Sequence, residues 1–174
     1  GAVVNDGPLY RLPFGTVFPA CIAAPAVGVA LGAVDTFREQ SRTRLASRDR
    51  ARVAEDPFIQ FHLAEAAAEV DAARGRLLGN FADMMRMVSA GQEIPLTSRA
   101  RYRWDSAKAV QWSVRAVDRL FEASGGGGVY LSNPIQRAWR DVHAMRAHAA
   151  NNPEKAAAVF GRSEFGLPPV DFRF

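Results

Sequence analysis

Apolar residues recur at spacings of three and four along most of this chain, and no stretch alternates apolar and polar residues as a half-buried strand would. A period near 3.6 held over stretches of about thirty residues leaves little besides rods packed side by side. The expected fold is therefore all-α, an up-down four-helix bundle with a short fifth helix and an extended tail.

Punctuation in the sequence places the rods. The first runs from about Thr16 to about Ala54, apolar at Val17, Cys21, Ala24, Leu31, Val34 and Phe37, with Pro25 as a kink because it removes one internal hydrogen bond. Asp56-Pro57 then reads as a cap followed by proline at the first helical position. The second helix continues to about Ala90 on Val70, Leu77, Phe81, Met84, Met85 and Val88, and Gly91 stops it. Thr97 or Ser98 caps a third, with Val110, Val114, Val117 and Phe121 toward one face. Ser132-Asn133-Pro134 opens a fourth on Ile135, Trp139 and Val142, and Asn152-Pro153-Glu154 opens the short fifth. Tyr102 and Trp104, at the start of the third helix, read as core. The tail from Gly166 to Phe174, with Pro168-Pro169, reads as extended.

Composition narrows the function classes. With 174 residues, 48% of them hydrophobic, the chain fits one globular domain with a sizeable core. Twenty-two Lys+Arg against eighteen Asp+Glu leave only +4, and Arg42, Arg44, Arg48, Arg50 and Arg52 are interspersed with Ser, Ala and Asp and lack interleaved aromatics. They read as a solvated helix face beside Asp49 and Glu55, not as a nucleic-acid surface. Leu12 to Val34 carries no charge and imitates a membrane span, but it is built from Ala, Gly and Val with three prolines, which favours a soluble bundle over a membrane. The single Cys21 can form neither an internal disulfide nor a thiolate metal cage, which favours the cytoplasm. Gly1 to Pro8 has no starter methionine and leads almost directly into a helix, so a fragment is expected.

Four consecutive glycines, Gly125 to Gly128, stand before the fourth helix. They expose backbone N–H groups at a helix N-terminus, where a phosphate could dock; a flexible hinge is the alternative reading of the same run. His143 and His148, taken on one helix, point about 140° apart and make a poor chelating pair. A zinc-protease pattern starting at His143 would need Glu at Ala144 and His at Ala147, so no metal is expected. His62 reads as structural.

Gly127 to Tyr130, Asn133-Pro134-Ile135-Gln136-Arg137 and Arg140-Asp141 resemble the C-terminal helical domain of the acyl-CoA dehydrogenase fold. The longer block from Asn133 to Ala144, with His148-Ala149-Ala150-Asn151, Phe160-Gly161 and Glu164 to Leu167, resembles the oxygenase component of two-component flavin-dependent monooxygenases, the phenol and 4-hydroxyphenylacetate 3-hydroxylase type. The resemblance implies an enzyme that takes reduced FMN or FAD from a separate flavin reductase, forms C4a-hydroperoxyflavin with O₂ and hydroxylates an aromatic small molecule. It implies a homotetramer, and N-terminal helical and middle β domains that are absent from residues 1–174, so that this chain alone should not turn over.

The same resemblance assigns residues. His148 would face the flavin and the phenol and donate a hydrogen bond to developing negative charge. Arg11 and Phe14, in Leu9-Tyr10-Arg11-Leu12-Pro13-Phe14-Gly15, would meet the substrate; a solvated Arg11 and a Phe14 stapling the helix entrance remain the alternative. Gly126, Gly127, Gly128, Tyr130 and Ser132 would contact the flavin. The dehydrogenase branch commonly carries a catalytic glutamate about eight residues after Arg-Asp, near Ala149 here, and no carboxylate occurs between Asp141 and Glu154. That leaves an acyl-CoA dehydrogenase, a sulfur- or nitrogen-oxygenating relative and a non-enzymatic helical module as the other readings.

Overall fold

A computed structural model describes residues 4–46 and 50–168. Among these, five α-helices account for nearly all regular structure: α1 (Phe14–Thr43), α2 (Pro57–Ser89), α3 (Leu96–Ala123), α4 (Pro134–Arg146) and α5 (Pro153–Glu164). The first four alternate in direction and α5 packs on α3, as the helical period requires. Among the described residues the only bridge outside helices pairs Leu45 with Arg52.

The cap-and-proline punctuation holds. Asp56 accepts from Phe58 N at 2.8 Å, Asn133 from Ile135 N at 3.0 Å and Asn152 from Lys155 N at 2.8 Å, each with proline at the first helical position. Each side-chain oxygen satisfies an amide that the helix itself leaves open. Gly91 ends α2 with φ +71°, a left-handed conformation that costs glycine little.

Four expectations are corrected. The first helix ends at Thr43 and not near Ala54, because Leu45 pairs with Arg52 in an isolated antiparallel bridge and a 3-10 turn, Val53–Glu55, follows. The arginines beyond Arg42 are therefore no helix face. Arg44 instead reaches α3 and donates to the Ser124 and Ala123 carbonyls at 2.8 and 2.9 Å, capping that helix end with positive charge; Arg48 and Asp49 lie outside the described residues. The third helix begins at Leu96 behind Pro95, so neither Thr97 nor Ser98 is its cap. Lastly, Cys21 and Ala24 are exposed, and the buried face of α1 is Ala23, Ala26, Ala30, Ala33 and Phe37. The alanines let the helix backbones approach closely.

α1 is long and apolar enough to cross a membrane by length and composition, yet that alanine face lies at the centre of the bundle against α3 and α4. It runs unbroken through Pro19 and Pro25. On the α2–α3 seam the polar pairs keep an antiparallel register: Glu69 meets Arg115 at 2.5 Å, and Asn80 donates to Asp105 at 3.1 Å. Tyr102 is buried as expected, whereas Trp104 is half-buried and stacks parallel to Phe160 at 6.4 Å. Of the tail, Leu167 donates to the Arg162 carbonyl and residues 169–174 lie outside the described part.

Candidate functional site

Alternating helix direction sorts the candidate residues onto two ends of the bundle. One end gathers the start of α1, the end of α2, the start of α3 and the turn after α4. The other gathers the end of α1, the start of α2, the end of α3 and the glycine run.

At the first end, α4 stops at Arg146, so His148 is not on the helix of His143. It caps a 3-10 turn, Ala149–Asn151, accepting from Ala150 N on Nδ1 at 3.1 Å. The separation of the two histidines therefore comes from the chain leaving the helix, not from 140° around it. His148 is exposed, and its ring meets Phe18 at 6.1 Å between centroids; Phe18 in turn meets Phe14 at 5.2 Å. Phe14 is 77% exposed, so it staples nothing into the core. The structure thus joins Phe14 to His148 through Phe18, a residue the sequence reading passed over. Its spacing of four from Phe14 was the available signal.

Arg11 lies apart from that trio. Its Nε donates to the Asp6 carbonyl at 2.9 Å, and it lines a cleft of about 310 Å³ with Glu93, Ile94 and Arg99 beside the α2–α3 connection. Close by, Tyr102 donates to Asp83, which also pairs with Arg86. The Tyr102 bond lowers the Asp83 carboxyl below its ordinary range, the nearby Arg86 assisting, while burial and the carboxylate push the Tyr102 hydroxyl up to about 12.

At the second end, Gly125–Val129 forms a 3-10 turn, and Gly125 leaves α3 at φ +58°. The glycines are not equivalent. A Cβ on Gly128 would sit 3.2 Å from the Phe121 carbonyl oxygen and 3.3 Å from Ser124 Cβ, whereas one on Gly126 or Gly127 would meet nothing within 4 Å. Gly128 is there for packing, and Gly126 and Gly127 leave open backbone that a ligand can approach. Asn133 Nδ2 donates to the Gly127 carbonyl at 2.9 Å, tying the turn to α4. Gly125 to Gly127, Tyr130, Arg44 and Arg52 line a cleft of about 710 Å³; Tyr130 and Ser132 are exposed.

The chain therefore does not bring all its candidate residues into one place. The thirteen residues of α4, about 20 Å at 1.5 Å each, separate the glycine turn from His148. Between them, His143 Nε2 and Trp139 Nε1 converge on Asp118 Oδ1 at 2.9 and 2.8 Å, with Trp139 stacked on Phe121. This half-buried group ties α4 to α3. Among the described residues no three His, Cys, Asp or Glu side chains gather as a metal site.

This chain matches known proteins along nearly its whole length. It is 46% identical over 172 residues to the flavin-dependent monooxygenase, oxygenase subunit HsaA, of Mycobacterium tuberculosis, covering 98% of this chain and 44% of that one. It is 37% identical to the oxygenase component of the FADH(2)-dependent resorcinol hydroxylase of a Rhizobium species, covering 92% and 41%. The crystal structure of 3-HSA hydroxylase from Rhodococcus sp. RHA1 superposes with a TM-score of 0.90 at 41% identity, over 98% of this chain and 43% of that one. The chain spans less than half the length of these relatives. Residues 20–153 match the family model described as acyl-CoA dehydrogenase, C-terminal domain, and with the all-helical bundle seen here the chain belongs to that family.

Proposed function

We propose that this chain is the C-terminal helical part of the oxygenase component of a two-component flavin-dependent monooxygenase, acting on a phenolic or related aromatic compound. The observation that carries this reading is His148. Where the dehydrogenase branch would need a carboxylate base, the chain places an exposed imidazole beside an exposed aromatic pair, Phe14 and Phe18. The likeness to relatives named as flavin-dependent hydroxylases supports it.

The residues present suit a flavin. Phe14 and Phe18 offer rings to a planar partner, His148 offers a polar edge, and the open backbone at Gly126 and Gly127 suits a phosphate-bearing tail. When bound, reduced FMN or FAD supplies the activation of O₂ for transfer of one oxygen atom to the aromatic ring. Beside a bound flavin His148 stabilises negative charge on oxygen by hydrogen bonding, and the exposed phenylalanines orient the planar rings. Arg11, directed to its own cleft, meets an anionic group of substrate or flavin from the side of the α2–α3 connection.

His148 and the glycine turn lie at opposite ends of α4. We therefore propose a homotetramer in which the glycine turn, with Tyr130 and Ser132, serves the flavin of a neighbouring copy. Sedimentation of the intact subunit tests that assembly. A separate reductase supplies the reduced flavin.

The activity is tested by combining the intact subunit, a flavin reductase, NADH and a panel of phenols. Reductase-dependent O₂ uptake with a hydroxylated product is expected. Bleaching of bound oxidised flavin by an acyl-CoA, with no hydroxylation, would instead place the protein among the dehydrogenases.

A further inference from the structure

An imidazole is two different reagents, depending on which nitrogen carries the hydrogen. At His148 the fold makes that choice. The Ala150 backbone N–H can only donate, and it points at Nδ1 at 3.1 Å, so Nδ1 must present its lone pair; in the neutral ring the hydrogen is then on Nε2. Among the described residues Nε2 meets no hydrogen-bonding partner.

The turn that makes this choice is held from two sides. Asn151, only 1% exposed, donates from its side chain to the Met145 carbonyl at the end of α4 at 2.8 Å, and its backbone N–H donates to the His148 carbonyl at 2.9 Å. Asn152 closes the other side by capping α5. The backbone of His148 is thus anchored to two helices, while its ring leans on Phe18 of a third at 59° between planes.

We propose that the Ala150 amide and the Phe18 ring are the positioning groups of His148: together they hold the imidazole as the Nε2–H tautomer, its donor free for an acceptor oxygen on a ligand. This rests on the oxygenase reading above for what the donor is used on, a phenolic or flavin-borne oxygen carrying negative charge. The other tautomer would turn a lone pair toward that oxygen and repel it. On the tautomer Phe18 acts through His148, by limiting the ring's rotation so that the Ala150 bond persists.

The test is ¹⁵N-histidine NMR of the intact subunit at about pH 8, above the usual histidine range, with His148→Gln identifying the signals that belong to this ring. The wild-type protein should show a lone-pair Nδ1 and a hydrogen-bearing Nε2. In Phe18→Ala the two nitrogen shifts should converge as the ring samples both tautomers, and Phe18→Tyr should restore their separation. Product formed per NADH consumed should fall several-fold in Phe18→Ala and recover in Phe18→Tyr. A hydrogen on Nδ1 in the wild type overturns the proposal outright, a reading that requires no variant to fold. An unchanged pair of shifts in Phe18→Ala overturns the part given to Phe18. Because the spectrum reads the tautomer whether or not a substrate turns over, an Nε2–H ring in a protein that hydroxylates nothing sinks the oxygenase reading and leaves the positioning intact.

Discussion

Asn133 donates from Nδ2 to the carbonyl of Gly127 at 2.9 Å, so the residue that caps α4 also pins the glycine turn. Its Oδ1 accepts from Ile135 N and, at 3.4 Å, from Gln40 at the end of α1. Asn133→Ala should lower stability by about 1–2 kcal/mol, as loss of a helix cap does. Asn133→Asp keeps the cap oxygen but loses the donor to Gly127. Denaturant melts should therefore rank wild type above Asp and Asp above Ala; an Asn133→Asp variant as stable as wild type would show that the tie to Gly127 contributes nothing.

The glycines separate packing from ligand contact. Gly128→Ala forces a Cβ against the Phe121 carbonyl and should cost about 1–3 kcal/mol, the usual effect of overpacking. Gly127→Ala has open space and should leave the melting temperature nearly unchanged while weakening flavin binding roughly tenfold, about 1.4 kcal/mol. Calorimetric melts paired with flavin titration of the intact subunit check both. An unaltered flavin affinity in Gly127→Ala would remove the turn from the flavin site.

Asp83 and Tyr102 predict loss of stability at both pH extremes. The carboxyl titrates lower when folded, so its contribution is present above its unfolded value of 3.8 and disappears as pH falls through the lowered one. The hydroxyl titrates higher when folded, from 10.0 to about 12, so its contribution is complete below pH 10 and is lost as pH rises toward 12. Tyr102→Phe should cost about 1.5–3 kcal/mol at neutral pH, typical of a hydrogen bond to a charged group, and should flatten the alkaline fall. Melting curves from pH 7 to about 12 in both proteins measure it.

Thr16 is fully buried and its Oγ1 has no hydrogen-bond partner among the described residues. Thr16→Val keeps the shape and removes an unsatisfied hydroxyl, so stability should stay level or rise by up to about 1 kcal/mol. A clear loss in a thermal melt would reveal a partner for that oxygen.

His148→Ala removes an exposed side chain whose structural use is one bond to Ala150 N. Stability should fall by no more than about 1 kcal/mol. Oxygenation should drop on the order of a hundredfold, as when a preorganised donor is deleted from an active site. A variant with wild-type turnover would make His148 a cap and nothing more.

Local grammar was the readable part of this sequence. Asp56-Pro57, Asn133-Pro134 and Asn152-Pro153 mark helix starts because capping and proline chemistry act within a few residues. The end of α1 was hidden because Arg44 finds its partners eighty residues away, on the last carbonyls of α3, and nothing local announces such a cap. The buried face of α1 was equally obscure. A stretch without charge from Leu12 to Val34 is apolar all round, so only packing shows that Ala23 and Ala26 turn inward while Cys21 and Ala24 do not. His148, Phe14 and the glycines were legible by resemblance. Their division between two ends of the bundle was not, since it follows from helix direction and length, and Phe18 became visible only when its ring was found between Phe14 and His148.

On the proposed oxygenase reading, the intact protein uses reduced flavin and O₂ to oxygenate an aromatic compound. Stopped-flow mixing of the intact subunit and reduced FMN or FAD with oxygenated buffer tests it most directly. A resolved spectral transient between the reduced and oxidised flavin is expected, lengthened in lifetime relative to free flavin and shortened in His148→Ala. Monophasic oxidation indistinguishable from free flavin, with bound flavin bleached by an acyl-CoA, would contradict it.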